Sequence, residues 1–180
     1  QEVELTVQTG HTASLNDVVF SPFDDFVATA GNDNKVVVWD FESGKQYKVL
    51  LGHEDVVHQL CFHPDNEILI SSSADSTIKF WEYQTGDLKE SLKLDFHPYS
   101  VKFNDSGDKI YVVGEKAVIL SYPDLKIESI SLSPKKYFST VEVTSDEKYM
   151  LLGGKEEHLG YLLDLQSLTL VKKFTHPILN

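Results

Sequence analysis

The sequence repeats itself. Gly10-His11 returns as Gly52-His53 and Trp39-Asp40 returns as Trp81-Glu82, both 42 residues on, and the stretch between these anchors aligns without a gap. Within it Phe20-Ser21-Pro22 matches Phe62-His63-Pro64, Ala28-Thr29-Ala30 matches Ile70-Ser71-Ser72, and Asn32-Asp33 matches Ala74-Asp75. After each tryptophan comes a turn, Glu42-Ser43-Gly44 or Gln84-Thr85-Gly86, and then a short lysine-bearing run. A period of roughly 20–50 residues marks a supersecondary unit that cannot bury its apolar face alone, so the chain must stack its copies side by side.

Two weaker copies follow. Val101-Lys102-Phe103 precedes the turn Asn104-Asp105-Ser106-Gly107, and Val141-Glu142-Val143 precedes Thr144-Ser145-Asp146-Glu147. Leu163-Asp164 stands where the Trp-Asp pair stood, Tyr122 takes the tryptophan place in the third copy, and Thr175-His176 opens a fifth. Each copy holds four apolar stretches of about five residues closed by Gly, Pro, Asn, Asp and Ser, such as Val18-Val19-Phe20, Phe26-Val27-Ala28-Thr29, Val36-Val37-Val38-Trp39 and Tyr47-Lys48-Val49-Leu50. Runs rich in Val, Ile, Phe and Tyr between turn residues read as strands, and no useful helical stripe interrupts them. The expectation is all-β with four strands per copy.

The period, the four strands and the Gly-His to Trp-Asp frame resemble the WD40 repeat family, whose units form the blades of a β-propeller. The resemblance covers essentially the whole chain, closely in the first two copies and in degenerate form in the third and fourth. It implies a WD40-type β-propeller of about four blades of four antiparallel strands, part of a seven- or eight-bladed ring. The expected divisions are a leading outer strand for a closing blade over 1–9, blades over 10–51, 52–92, 93–132 and 133–174, and a further repeat from 175–180. Val3, Leu5 and Val7 alternate as a strand should, yet that strand needs three inner partners that the four copies do not supply. The chain is therefore expected to be the first half of a longer propeller, or a unit that pairs with a second copy to close an eight-bladed ring through its uncovered end blades.

In the family, four side chains per blade form a buried hydrogen-bond relay. The resemblance assigns these to Trp39, Thr29, His11 and Asp33 in the first copy, and to Trp81, Ser71 (or its same-face neighbour Ser73), His53 and Asp75 in the second. An indole N–H only donates, a hydroxyl and an imidazole do both, and a carboxylate only accepts, so the order Trp, Ser/Thr, His, Asp is fully matched. Ser, His and Asp together also suggest hydrolysis. However, the set recurs at one period, each copy brings an indole to cap the hydroxyl, and no nucleophile elbow is present, so no catalytic residue is expected. Where Gly-His would fall, the third copy has Lys93-Leu94 and the fourth Ser133-Pro134, while the turn aspartate gives way to Lys116 and Glu156. These blades are expected to have drifted and to hold by apolar packing alone, the other reading being that their surfaces are reshaped for a partner.

Composition narrows the function. The net charge is −12, and all sixteen basic residues are lysine, so the planar fork that suits phosphate and guanine is missing and nucleic acid is an unlikely ligand by charge. No apolar run approaches the roughly 18 residues of a spanning helix, so no membrane partner is expected. The lone Cys61 reads as a small core residue, and His58, His63, His97 and His158 share no ligand spacing, so neither metal nor cofactor is expected. The resemblance then implies a protein-interaction scaffold holding a protein or peptide on its top face, with Asn16, Asn32, His58 and Ala74 as contact residues. An acidic surface favours a lysine- or arginine-rich partner. Two alternatives stand beside it. In one, the blades are the regulatory part of a larger enzyme: Val7-Gln8-Thr9-Gly10-His11-Thr12 resembles bacterial exported proteins in which WD repeats precede a caspase-like protease, which would make Gln1 the residue after signal cleavage and the location extracytoplasmic. In the other, the propeller is itself a hydrolase with a pocket in its central channel.

Overall fold

The computed structural model describes residues 10–65, 67–130, 137–154 and 159–175. The leading segment 1–9, the fifth-copy segment 176–180, and Ser133, Pro134, Glu156 and His158 lie outside these. Sixteen strands form four separate antiparallel sheets, each running in simple order from the first strand to the fourth. Blade 1 comprises β1 (Leu15–Phe20), β2 (Phe26–Gly31), β3 (Val36–Asp40) and β4 (Gln46–Leu50). Blade 2 comprises β5 (Val57–Phe62), β6 (Ile68–Ser73), β7 (Thr77–Glu82) and β8 (Asp87–Lys93). Blade 3 holds β9 (Pro98–Phe103), β10 (Lys109–Gly114), β11 (Ala117–Ser121) and β12 (Ile127–Ile130), and blade 4 holds β13 (Phe138–Val143), β14 (Tyr149–Gly154), β15 (Leu159–Asp164) and β16 (Thr169–Thr175). There is no helix among the described residues.

The turns explain the sheets. At the tight bend from third to fourth strand the same position is left-handed in every blade: Gly44, Gly86, Leu125 and Leu168, with φ of 65, 90, 53 and 54°. The first three close on a backbone hydrogen bond of 2.8–2.9 Å, from Gly44 to Asp40, Gly86 to Glu82 and Leu125 to Ser121. A second left-handed position recurs between the first two strands, at Asp24, Gly107 and Glu147. Positive φ is cheap for glycine and costly for a branched side chain, so the degenerate blades keep the turn against the preference of leucine.

Blades stack with their innermost strands side by side: β1 beside β5, β5 beside β9, β9 beside β13. Three apolar cores fill the three gaps. Ala28, Val36, Val38 and Leu50 of blade 1 meet Leu60, Phe62, Leu69 and Trp81 of blade 2. Ile70, Ile78 and Phe80 meet Val101, Phe103, Val112 and Leu120. Tyr111, Val113 and Ile130 meet Phe138, Val141, Leu152 and Leu163. In the two sheets between others the second and third strands are buried on both faces, as in β6, β7 and β10, whereas the outer strand β8 is exposed. The outer ends differ: Val18, Phe20 and Phe41 on blade 1 and Leu151, Val171 and Phe174 on blade 4 are exposed.

Candidate partner-binding face

In all four blades the innermost strand carries one extra residue against its partner. The register slips between Leu15 and Asp17, between Val57 and Gln59, between Pro98 and Ser100, and between Phe138 and Thr140. A bulge leaves its extra residue out of the ladder and re-aims its side chain. Here the bulged residues are Asn16, His58, Tyr99 and Ser139, one per blade at the same end of the channel-side strands.

These residues join into a row. Asn16 Nδ2 donates to Asn32 Oδ1 at 2.7 Å and across the gap to the Val57 carbonyl at 2.8 Å. The His58 ring lies 4.9 Å from the Tyr99 ring at 45°. Asn34 Nδ2 reaches the Glu54 carbonyl at 3.2 Å, and His97 Nδ1 meets the Ala74 carbonyl at 2.6 Å. Asn16 and Asn32 are exposed, and His58 and Ala74 half-buried. Tyr99 extends the row, and Ser139 holds the same bulge position on blade 4 with its Oγ donating to the Gly153 carbonyl at 3.5 Å; the sequence landmarks named above include neither. Their signal was available: they stand 41 and 81 residues after His58, at the bulge position of copies whose other landmarks are worn away.

Beneath the row lie the polar chains of blades 1 and 2. The Trp39 indole N–H donates to Thr29 Oγ1 at 2.8 Å, Thr29 Oγ1 meets His11 Nε2 at 2.9 Å, and His11 Nδ1 meets Asp33 Oδ1 at 2.8 Å. In blade 2, Trp81 Nε1 donates to Ser71 Oγ at 2.8 Å, Ser71 meets His53 Nε2 at 2.7 Å, and His53 Nδ1 meets Asp75 Oδ2 at 2.8 Å. Ser71 is the hydroxyl used; Ser73 instead donates to the Asp55 carbonyl. The glycine before each histidine makes room for the indole: a Cβ on Gly10 would sit 2.4 Å from Trp39 Cη2.

The aspartates also cap the loop. Asp33 Oδ2 accepts the Thr12 N–H at 2.7 Å, and Asp75 Oδ2 accepts that of Glu54 at 3.0 Å. Burial works to raise both carboxyls, but the hydrogen bonds prevail. Those of Thr77, Glu54 and His53 bring Asp75 down to about 2, and those of Thr12 and His11 lower Asp33. His53 shifts the other way for its class: burial lowers it in spite of the Asp75 carboxylate. The neutral ring fixes the direction of the chain. Nδ1–H donates to Asp75, and Nε2 accepts from Ser71, whose oxygen takes the indole proton.

Blades 3 and 4 use other means. Strand register, not chain position, identifies the equivalents: Leu69 pairs with Trp81, Ile110 with Leu120, and Met150 with Leu163. Leu120 therefore takes the tryptophan place in blade 3. Tyr122 matches Tyr83 instead and packs against Phe103, His63 and Phe80 as Tyr83 packs against Phe62 and Phe26. Val112 replaces Ser71, Leu94 occupies the histidine place, and all three are buried in the gap between blades 2 and 3. The turn that carries Asp75 shrinks to Glu115-Lys116, and Lys116 pairs with Asp95.

Cys61 is half-buried, its Sγ accepts the Phe103 N–H at 3.4 Å, and burial pushes its thiol up, away from nucleophilic character. His63 is buried and bonds the Gly107 carbonyl at 3.0 Å. Among the described residues no group of His, Cys, Asp and Glu is arranged to hold a metal ion.

Four-stranded antiparallel sheets stacked through their innermost strands define a run of β-propeller blades. The β-propeller domain of Myceliophteria_thermophila Cps50 (Swd1) superposes with a TM-score of 0.81 at 16% identity, covering 97% of this chain and 58% of that one. U3-55K superposes with a TM-score of 0.83, also at 16% identity, covering 92% and 53%. The chain thus spans little more than half of either structure, and the likeness is one of fold. No curated protein matches it in sequence. Residues 2–40 and 44–82 match the WD domain, G-beta repeat, so the first two copies are WD40 repeats, and the likeness of the remaining copies is one of propeller fold.

Proposed function

We propose that the chain is a protein-interaction scaffold that holds a protein or peptide segment against the rim formed by Asn16, Asn32, His58 and Ala74. The observation that carries this reading is the row of bulges, which turns one side chain per blade out of the ladder and links blades 1 to 2 through the Asn16–Val57 contact and blades 2 to 3 through the His58–Tyr99 contact. A rigid sheet scaffold presenting irregular loop and bulge residues is where binding residues concentrate. WD-repeat propellers as a class mediate protein interactions and are generally non-catalytic. In keeping with that, Ser71 is fully buried and Thr29 nearly so, each already receiving an indole N–H, which leaves neither hydroxyl presented as a nucleophile. The net charge of −12 and the absence of arginine speak against nucleic acid and for a cationic partner.

A peptide library selected on the immobilised protein tests the reading. Selected peptides should be rich in Lys or Arg, and the Asn32→Ala/His58→Ala variant should lose at least about tenfold in affinity, roughly 1.4 kcal/mol, without a change in unfolding midpoint. Undiminished binding by that variant would remove the rim from consideration. The exposed apolar residues at the two ends of the blade stack favour self-association, and light scattering on the eluted protein reads it directly: a monomer at all concentrations excludes it.

A further inference from the structure

The residue that follows each bulge does something the bulge itself does not. Asp17 follows Asn16, and its Oδ2 accepts the N–H of Leu60 on the next blade's innermost strand at 2.9 Å. Gln59 follows His58, and its Oε1 accepts the N–H of Val101 at 2.8 Å. Ser100 follows Tyr99, and its Oγ accepts the N–H of Val141 at 3.2 Å. The registers make all three acceptors equivalent, opposite Ala30, Ser72 and Val113, and all three donors equivalent, opposite Ser71, Val112 and Leu152. An aspartate, a glutamine and a serine thus perform one task at one position, which is why no sequence motif marks it.

The physical need is clear. The innermost strand is an edge strand, so alternate N–H groups point away from its own sheet. Leu60, Val101 and Val141 are each only 2% exposed, and a buried N–H there demands an acceptor that its own sheet cannot offer. Blade 1 supplies the contrast: Val18, at the same position but 60% exposed, has its N–H bonded by Asp17 Oδ1 of its own strand at 2.9 Å. Burial raises the Asp17 carboxyl above its usual range even though two N–H groups oppose the shift. Thr140 stands at the same position on blade 4, exposed and opposite Gly153.

We infer that Asp17, Gln59 and Ser100 are junction residues: by accepting the next innermost strand's N–H directly beside a bulge, each fixes the spacing between rim residues on adjacent blades. The inference deepens the binding reading, because it makes the rim a single preset surface instead of four independent side chains, and it rests on that reading for its functional consequence.

Amide-resolved hydrogen exchange on the whole chain tests it without any partner present. Asp17→Ala should speed exchange at the Leu60 amide at least about tenfold while Val101 and Val141 hold, and Asp17→Asn, which keeps a carbonyl oxygen, should restore Leu60. Gln59→Ala should move the effect to Val101 alone. Ser100→Ala, a small truncation that any stable blade tolerates, should expose Val141 and serves as the deciding variant if Asp17→Ala does not fold. The Asn16 side-chain amide resonance should shift in Asp17→Ala and return in Asp17→Asn. Unchanged protection at the paired amide, or a uniform loss at all three, overturns the junction role. Site-specific loss with peptide affinity unchanged keeps the junctions and overturns only their link to the rim.

Discussion

Trp39 and Trp81 make the same hydrogen bond in unlike surroundings. Each indole N–H donates at 2.8 Å, to Thr29 and to Ser71, yet Trp81 is 1% exposed between blades 1 and 2 while Trp39, on the far face of blade 1, is only half-buried. Blade 2 buries its polar chain against a neighbour, whereas blade 1 turns its own toward the end of the stack. Trp81→Phe should therefore cost about 2–3 kcal/mol, from the lost bond to a buried hydroxyl and the smaller ring. Trp39→Phe should cost under about 1.5 kcal/mol, because the half-buried ring gives up less apolar area and Thr29 keeps its bonds to His11 and the Val37 carbonyl. Urea midpoints of the two variants give the comparison directly; equal losses would mean that burial does not set the worth of this bond.

Blade 3 shows that the polar chain has an apolar substitute, since Leu94, Val112 and Leu120 fill the same places buried and without hydrogen bonds to make. Ser71→Val alone should destabilise by about 1–3 kcal/mol, because it strands the Trp81 N–H and the His53 ring nitrogen. Adding His53→Leu and Trp81→Leu should cost much less than the sum of the three single changes. A mutant cycle over these positions measures the coupling, and strict additivity would show that the groups act independently.

Acid should loosen blade 2 in two stages. His53 in the folded protein sits below its ordinary 6.5 and Asp75 below its ordinary 3.8, at about 2, so in both cases the unfolded chain binds protons more readily. Their contribution is complete above pH 6.5, declines as His53 resists protonation below that, and declines again between 3.8 and about 2. Asp17, raised by burial, works the other way: it returns stability as pH falls toward 3.8, ahead of the second stage. Unfolding midpoints that stay level from about pH 8 down to about pH 5 would contradict the His53 stage.

The left-handed turns offer a stabilising change and a destabilising one. Leu168 holds φ of 54° at the position that is glycine in blades 1 and 2, and its side chain is 44% exposed. Leu168→Gly should raise stability by about 0.5–1 kcal/mol. Gly107 is the reverse: at φ 78° a Cβ would stand 2.3 Å from His63 Nε2, so Gly107→Ala should cost about 1–3 kcal/mol and disturb the junction of blades 2 and 3. Differential scanning calorimetry distinguishes the two signs.

The sequence by itself determined the repeating unit, because strand and turn preferences are local and recur every 40 or so residues regardless of what packs above them. The resemblance to the WD40 repeat, legible in the Gly-His and Trp-Asp spacing, also grouped His11, Thr29, Asp33 and Trp39, and their counterparts from His53 to Trp81, and the donor and acceptor chemistry of those side chains is compatible with that grouping. Tertiary structure decided the rest. Leu120, not Tyr122, occupies the tryptophan place because cross-strand register, invisible to spacing once a turn shortens to Glu115-Lys116, sets equivalence. Tyr99 and Ser139 reach the rim because bulges re-aim them, and Asp17, Gln59 and Ser100 share a task because each meets a backbone N–H on another blade. A backbone donor is the same whatever residue carries it, so only the stacking of one sheet on the next reveals which side chain must answer it.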